Sequence, residues 1–190
     1  MQPPTTLEWR EPLAYLDALA GTDEEYAFLY SGMKTAYSGR YSLLALHPEQ
    51  VTEADSFSPL HEALTTALPP YANGWLGYLG YGLKNCVETL AHDAPSYIDL
   101  PHLRMTRFHT LLVFDHEAHK LQCHRLTDAA FSLPIPNPAY APPEWKINEL
   151  SSDMMKEEYL SRVTAIKEAI AAGSLYQANL TRKFYGTFSI

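Results

Sequence analysis

Residues 104–126, "RMTRFHTLLVFDHEAHKLQCHRL", decide how the chain folds. A long apolar run, "FHTLLVF", gives way at Asp115 to a polar tip from His116 to His119, and a second run, "KLQCHRL", follows. Two extended runs with a short polar turn between them predict a β-hairpin. A hairpin presents both edges for further antiparallel pairing, and the flanking sequence supplies candidates.

On the N-terminal side, "YAFLYSG" (26–32) and "GRYSLLALHP" (39–48) read as two strands joined by a loop, and "GWLGYLGYGL" (74–83) as a glycine-studded strand. Residues 9–20 and 58–70 read as helices, the second stopped by Pro69 and Pro70. On the C-terminal side, five prolines fall in the eleven residues from Leu133 to Pro143, so that stretch resists regular structure and reads as a linker. Beyond it Tyr159, Val163, Ile166 and Ile170 form a helical apolar stripe. Ser151, Ser152 and Asp153 are its N-cap candidates, Glu157 and Glu158 favour its first turn, and Gly173 falls at C′. A closing strand is expected over 175–185, with Tyr176, Ala178, Leu180 and Phe184 on its apolar face. One helix and one strand bury little, so this part reads as the opening of a second unit. The expected fold is α+β: a mostly antiparallel sheet with packed helices over 1–133, a linker over 134–145, and an incomplete helix-and-strand unit over 146–190.

Composition narrows the function classes. Of 190 residues 46% are hydrophobic and 19% charged, which predicts a folded chain. Fourteen Lys and Arg against 22 Asp and Glu give a net charge of −8 with no basic run, which argues against nucleic acid as a partner. No apolar run approaches ~18 residues and the N-terminus carries no secretory pattern, so no membrane partner is expected and the cytoplasm is the expected compartment. Cys86 and Cys123 are then expected to be free, buried or half-buried thiols.

Three constellations could carry chemistry. Asp115, His116, Glu117 and His119 include metal-ligating types, but without the helical two-histidine spacing of a zinc protease, and read as a solvated hairpin tip. Glycines 74, 77, 80 and 82 lack the order of a dinucleotide-binding loop, and a glycine inside a strand marks a close approach of another backbone. In "LYSGMKTAYSGRYSL" (29–43), Ser31 closes one strand while Arg40 and Ser42 open the next. A hydroxyl and a guanidinium at neighbouring strand ends can grip a carboxylate, or the loop is an ordinary polar connection.

Taken in order, "LYSG…GRYSLLALHP", "GWLGYLGYGL", the 104–126 hairpin and "EEYLSRVTAIKEAIAAGSLYQANLTRKF" resemble component I of aminodeoxychorismate synthase and, more distantly, component I of anthranilate synthase, both chorismate-utilising. The resemblance implies conversion of chorismate and ammonia to 4-amino-4-deoxychorismate, with magnesium, on the route to p-aminobenzoate and folate, and a glutamine amidotransferase partner that supplies ammonia. It places the magnesium-binding and catalytic residues of that family beyond the region matched, so no catalytic residue or metal ligand is expected here and the chain is expected to be inactive alone. It also implies half of a tryptophan-type pocket, holding a feedback inhibitor or structural ligand, made by Ser31 and Arg40 with Leu29 and Tyr41 as walls. Gly82 and Ser174 depart from the pattern, which carries acidic residues at both places. A freestanding module that binds an aromatic amino acid remains the alternative.

Overall fold

The structure, a computed structural model, describes residues 3–65, 75–89, 99–126 and 132–189. The chain divides into two compact units, Met1–Tyr140 and Ala141–Ile190. In the first unit the elements are β1 (Thr5–Leu7), α1 (Pro12–Leu19), β2 (Tyr26–Leu29), β3 (Tyr41–Ala54), α2 (Ser58–Thr65), β4 (Trp75–Leu79), a 3-10 helix (Tyr81–Cys86), β5 (Leu103–Asp115) and β6 (Lys120–Arg125). The second unit holds β7 (Lys146–Ser152), α3 (Lys156–Ala171) and β8 (Phe184–Ser189). The fold is α+β with antiparallel strands, as the sequence predicts.

The predicted hairpin is the centre of the first unit. β5 pairs with β3 along its whole length, from Tyr41 opposite Asp115 to Ala54 opposite Leu103. Its other edge is shared: β6 covers Thr110–Asp115 and β4 covers Leu103–Arg107. β2 extends the sheet beyond β3, and β1 extends it beyond β6. β1 has only three residues, too few for alternation to show in the sequence.

Period two sorts the side chains. Ser42, Leu44 and Leu46 of β3 stand on the same face as Phe114, Leu112 and Thr110 of β5 and Leu121 and Cys123 of β6. Tyr15 and Leu19 of α1 pack on that face, and Leu44, Leu46, Leu112, Phe114 and Leu121 are fully buried. Each such side chain contributes about 1.5–3 kcal/mol by leaving water. Pro12 opens α1 at a position where its missing N–H costs nothing.

Gly77 stands opposite Met105, and a Cβ there would run into the backbone of Arg104 and Met105. The strand glycine does mark a close backbone approach, as expected. β4 ends at Leu79 rather than continuing through "YGL": the chain turns at Gly80, whose amide donates to the His102 carbonyl, into the 3-10 helix. Gly82 lies against the His102 imidazole, which a Cβ would strike. The predicted helix at 58–70 is observed over Ser58–Thr65, and its remainder lies outside the described residues. Cys123 is buried and burial pushes its thiol pKa up, while Cys86 is exposed rather than half-buried; neither is in a disulfide.

The second unit corrects the sequence reading of the closing strand. Residues 174–183 have no regular structure, Tyr176 is almost fully exposed, and the strand is Phe184–Ser189. That strand has a partner: β7 pairs with it antiparallel from Lys146 opposite Ser189 to Ser152 opposite Phe184. β7 is not legible in the sequence, because a bulge between Ile147 and Glu149 puts Ile147 and Leu150 on one face, a spacing of three that does not read as a strand. Ser151 and Ser152 belong to β7 and do not cap α3, whose N-cap is Met155. Asp153 instead accepts the Lys183 amide at 2.9 Å and donates its own amide to the Lys183 carbonyl. Glu157 and Glu158 do lie in the first turn of α3. Its end is a Schellman motif: Gly173 has φ +73°, its amide donates to the Ile170 carbonyl, and the Ser174 amide donates to the Ala169 carbonyl.

Candidate functional site

The register of β3 on β5 builds the site. With Tyr41 opposite Asp115, the end of the β2–β3 loop meets the β5–β6 turn, although the two are 75 residues apart in sequence. Leu29 lies opposite Leu43, on the face away from α1, and period two puts Tyr41 and Asp115 on that face too. Leu29 and Tyr41 are about half exposed there and form an apolar floor.

Arg40 lies over this floor with its guanidinium 4.9 Å from the centre of the Tyr41 ring. Its Nε and Nη2 donate to Asp115 Oδ2 at 3.2 and 2.9 Å, and Glu117 stands 3.7 Å from Nε. Asp115 Oδ1 also accepts the amides of Glu117 and Ala118 at 3.0 and 2.9 Å. The Arg40 hydrogen bond and those two amides hold the Asp115 carboxyl at a pKa of about 2, below the 3.8 of an unperturbed aspartate. Asp115 raises the Arg40 pKa in turn. Asp115 grips the guanidinium by its Nε side, and the opposite edge, Nη1 with the second N–H of Nη2, has no protein partner among the described residues. That edge is the two-pronged donor that a carboxylate fits.

Ser31 closes the other end of the loop. Its hydroxyl donates to the Tyr41 carbonyl at 2.7 Å and its amide donates to Ser42 Oγ at 3.0 Å. With its proton spent, Ser31 Oγ faces any ligand as an acceptor. Ser42 is fully buried, and its Oγ lies 2.7 Å from His116 Nε2. The intervening loop is braced by Thr35, whose hydroxyl accepts the amides of Tyr37 and Ser38. Gly39, at φ +96°, crosses so close to the backbone of Met33 and Lys34 that a Cβ would not fit.

The four residues singled out in the sequence, Leu29, Ser31, Arg40 and Tyr41, therefore lie at one end of the sheet, with Ser31 and Arg40 converging on Tyr41. Sequence spacing does not reveal that Asp115 already holds one side of Arg40, nor that Ser42 and His116 stand behind Ser31. The tip residues Asp115 to His119, read as a solvated turn, are partly engaged: the His119 ring stacks on Trp9 at 4.3 Å and the His116 ring meets Trp9 edge-on at 5.7 Å. Among the described residues no three His, Cys, Asp or Glu side chains gather to hold a metal ion.

A model of chorismate binding enzymes matches residues 11–190. The chain belongs to the chorismate binding enzyme family. Among its relatives, aminodeoxychorismate synthase component 1 of Escherichia coli is 27% identical over 145 residues, covering 74% of this chain and 31% of that protein. Anthranilate synthase component I-like protein of Synechocystis is 27% identical over 176 residues, covering 77% of the chain and 34% of that protein. Anthranilate synthase component 1 of Streptomyces coelicolor is 25% identical over 205 residues, covering 90% and 40%. The chain thus spans between 31% and 40% of the length of these family members. No helix among the described residues is long and apolar enough to cross a membrane.

Proposed function

We propose that this chain is the N-terminal part of an aminodeoxychorismate synthase component I, which converts chorismate and ammonia to 4-amino-4-deoxychorismate for p-aminobenzoate and folate synthesis. The family match over residues 11–190 carries the proposal. The glycine-rich "GWLGYLGYGL" stretch and the short segment before α3 favour this member over anthranilate synthase. In the complete enzyme magnesium is the cofactor and a glutamine amidotransferase subunit is the partner, in the cytoplasm. Chromatography of the products formed from chorismate, ammonium and magnesium tests it. A full-length protein carrying this chain should form 4-amino-4-deoxychorismate, and the 190-residue chain alone should form nothing. Anthranilate as the product would move the protein to the other member, and turnover by the chain alone would overturn the assignment of catalysis to the remainder.

Leu29, Ser31, Arg40 and Tyr41 are proposed as one wall of an aromatic amino acid site, with tryptophan as the ligand. Two features support this: Ser31 Oγ is an acceptor suited to an ammonium group, and the open edge of Arg40 is a donor pair suited to a carboxylate. In the full-length protein Arg40→Ala should weaken tryptophan binding by ~1.5–3 kcal/mol, the scale of a charge-assisted hydrogen bond. Ser31→Ala should cost less. Calorimetric titration checks both, and equal affinities in wild type and variants would remove the site.

A further inference from the structure

We infer that the adjacent residues Asp115, which ends β5, and His116, which opens the β5–β6 turn, are the positioning residues of this amino acid site, one holding the carboxylate-reading group and the other the ammonium-reading group. The inference rests on the proposed amino acid site and assigns a role to a turn that the sequence presents as a solvated tip.

Asp115 acts on Arg40. A free arginine side chain samples many rotamers, and fixing it on a ligand costs conformational entropy. Here the carboxylate of Asp115 holds Nε and Nη2, while the Glu117 and Ala118 amides fix the carboxylate itself. The guanidinium is thus oriented before any ligand arrives, with its outer edge open. The arrangement also sets a cost: Asp115 and Glu117 both bring negative charge towards Arg40, which weakens its pull on an anion.

His116 acts on Ser31 through Ser42. The Ser31 amide donates to Ser42 Oγ, and Ser42 Oγ is held at 2.7 Å by His116 Nε2. The His116 amide also donates to the Arg40 carbonyl at 2.8 Å, so residue 116 ties both ends of the loop. The contact between His116 Nε2 and Ser42 Oγ is a hydrogen bond in either tautomer of the ring, because the serine hydroxyl can donate or accept. Trp9 packs on the His116 ring and limits its movement.

Binding of three ligands to the full-length protein separates the two roles: tryptophan, tryptamine without the carboxylate, and indole-3-propionate without the ammonium. Asp115→Asn should weaken tryptophan about ten-fold or more, on the scale of a charge-assisted contact, and leave tryptamine nearly unchanged. In an Arg40→Ala background the same substitution should have no further effect on tryptophan. His116→Phe should weaken tryptophan and tryptamine together, and His116→Gln, which keeps an acceptor in reach of Ser42, should restore both. Equal loss for all three ligands in Asp115→Asn, or additive losses with Arg40→Ala, would overturn the assignment. NMR without ligand judges the positioning by itself. The Arg40 Nε–H signal should be protected from exchange in wild type and lose protection in Asp115→Asn, and the Ser31 amide should behave likewise in His116→Phe. If wild type binds no tryptophan, the amino acid site falls and the exchange data decide the positioning alone, where unchanged protection in both variants overturns it.

Discussion

Asp115 accepts five hydrogen bonds from three residues, and its pKa turns them into a measurable pH dependence. Its carboxyl is lowered in the folded protein to about 2, against an ordinary 3.8. A lowered carboxyl stabilises the fold above its unfolded pKa, and that contribution fades as pH falls from 3.8 to about 2. Asp115→Asn should therefore be less stable than wild type at about pH 5, with the difference shrinking towards about pH 2.5. Urea midpoints of both proteins across that range check it, and a pH-independent gap would show that the ion pair is not the source. At this scale the sequence discloses half of the site. "SG" and "GRYS" stand out because a hydroxyl and a guanidinium flank a polar loop between two strands. Their partners Asp115 and His116 belong to another strand end, and what joins them is the Tyr41–Asp115 register, which no local spacing encodes.

Elements were legible in proportion to their length and regularity. β3, β5 and β6 are legible because their apolar runs are long enough to read as strands, and the polar tip between Asp115 and Lys120 locates the turn. β7 was hidden by its bulge, and the closing strand was placed too early because "YQANL" alternates without having a neighbour to pair with among the described residues. Asp153 looked like a helix cap because its position and chemistry both fit, yet its carboxylate serves the Lys183 amide, a contact made 30 residues away. The end of α3 is the opposite case, since one glycine states it. Gly173→Ala places a Cβ in the left-handed region and should cost about 1–2 kcal/mol. Loss of exchange protection at the Ser174 amide, which bonds to Ala169, should accompany it, and unchanged protection would show that the Schellman motif is not what ends the helix.

For the whole molecule, the two units differ in how much they bury. The first has a core of α1 on the sheet with five fully buried large side chains from three strands. In the second the helix contains no buried residue, and Met154 is the one hydrophobic residue buried among those described. Ile147 and Leu150 of β7 share a face with Phe184 and Phe188 of β8, all four at least half exposed, and Trp145 beside them is 68% exposed. A two-stranded sheet is marginal in water by itself, and an apolar face next to open strand edges is a template for association. The 190-residue chain should therefore self-associate as its concentration rises, and a chain ending at Tyr140 should not. Phe188→Lys should act in the same direction as that deletion, since a charge on the apolar face opposes its burial while leaving the β7–β8 backbone pairing intact. Sedimentation velocity across a concentration series separates the outcomes. Association that persists in the shortened chain would place the sticky surface on the first unit, where Leu29, Tyr30 and Tyr41 are also exposed, and would point back to the proposed amino acid site.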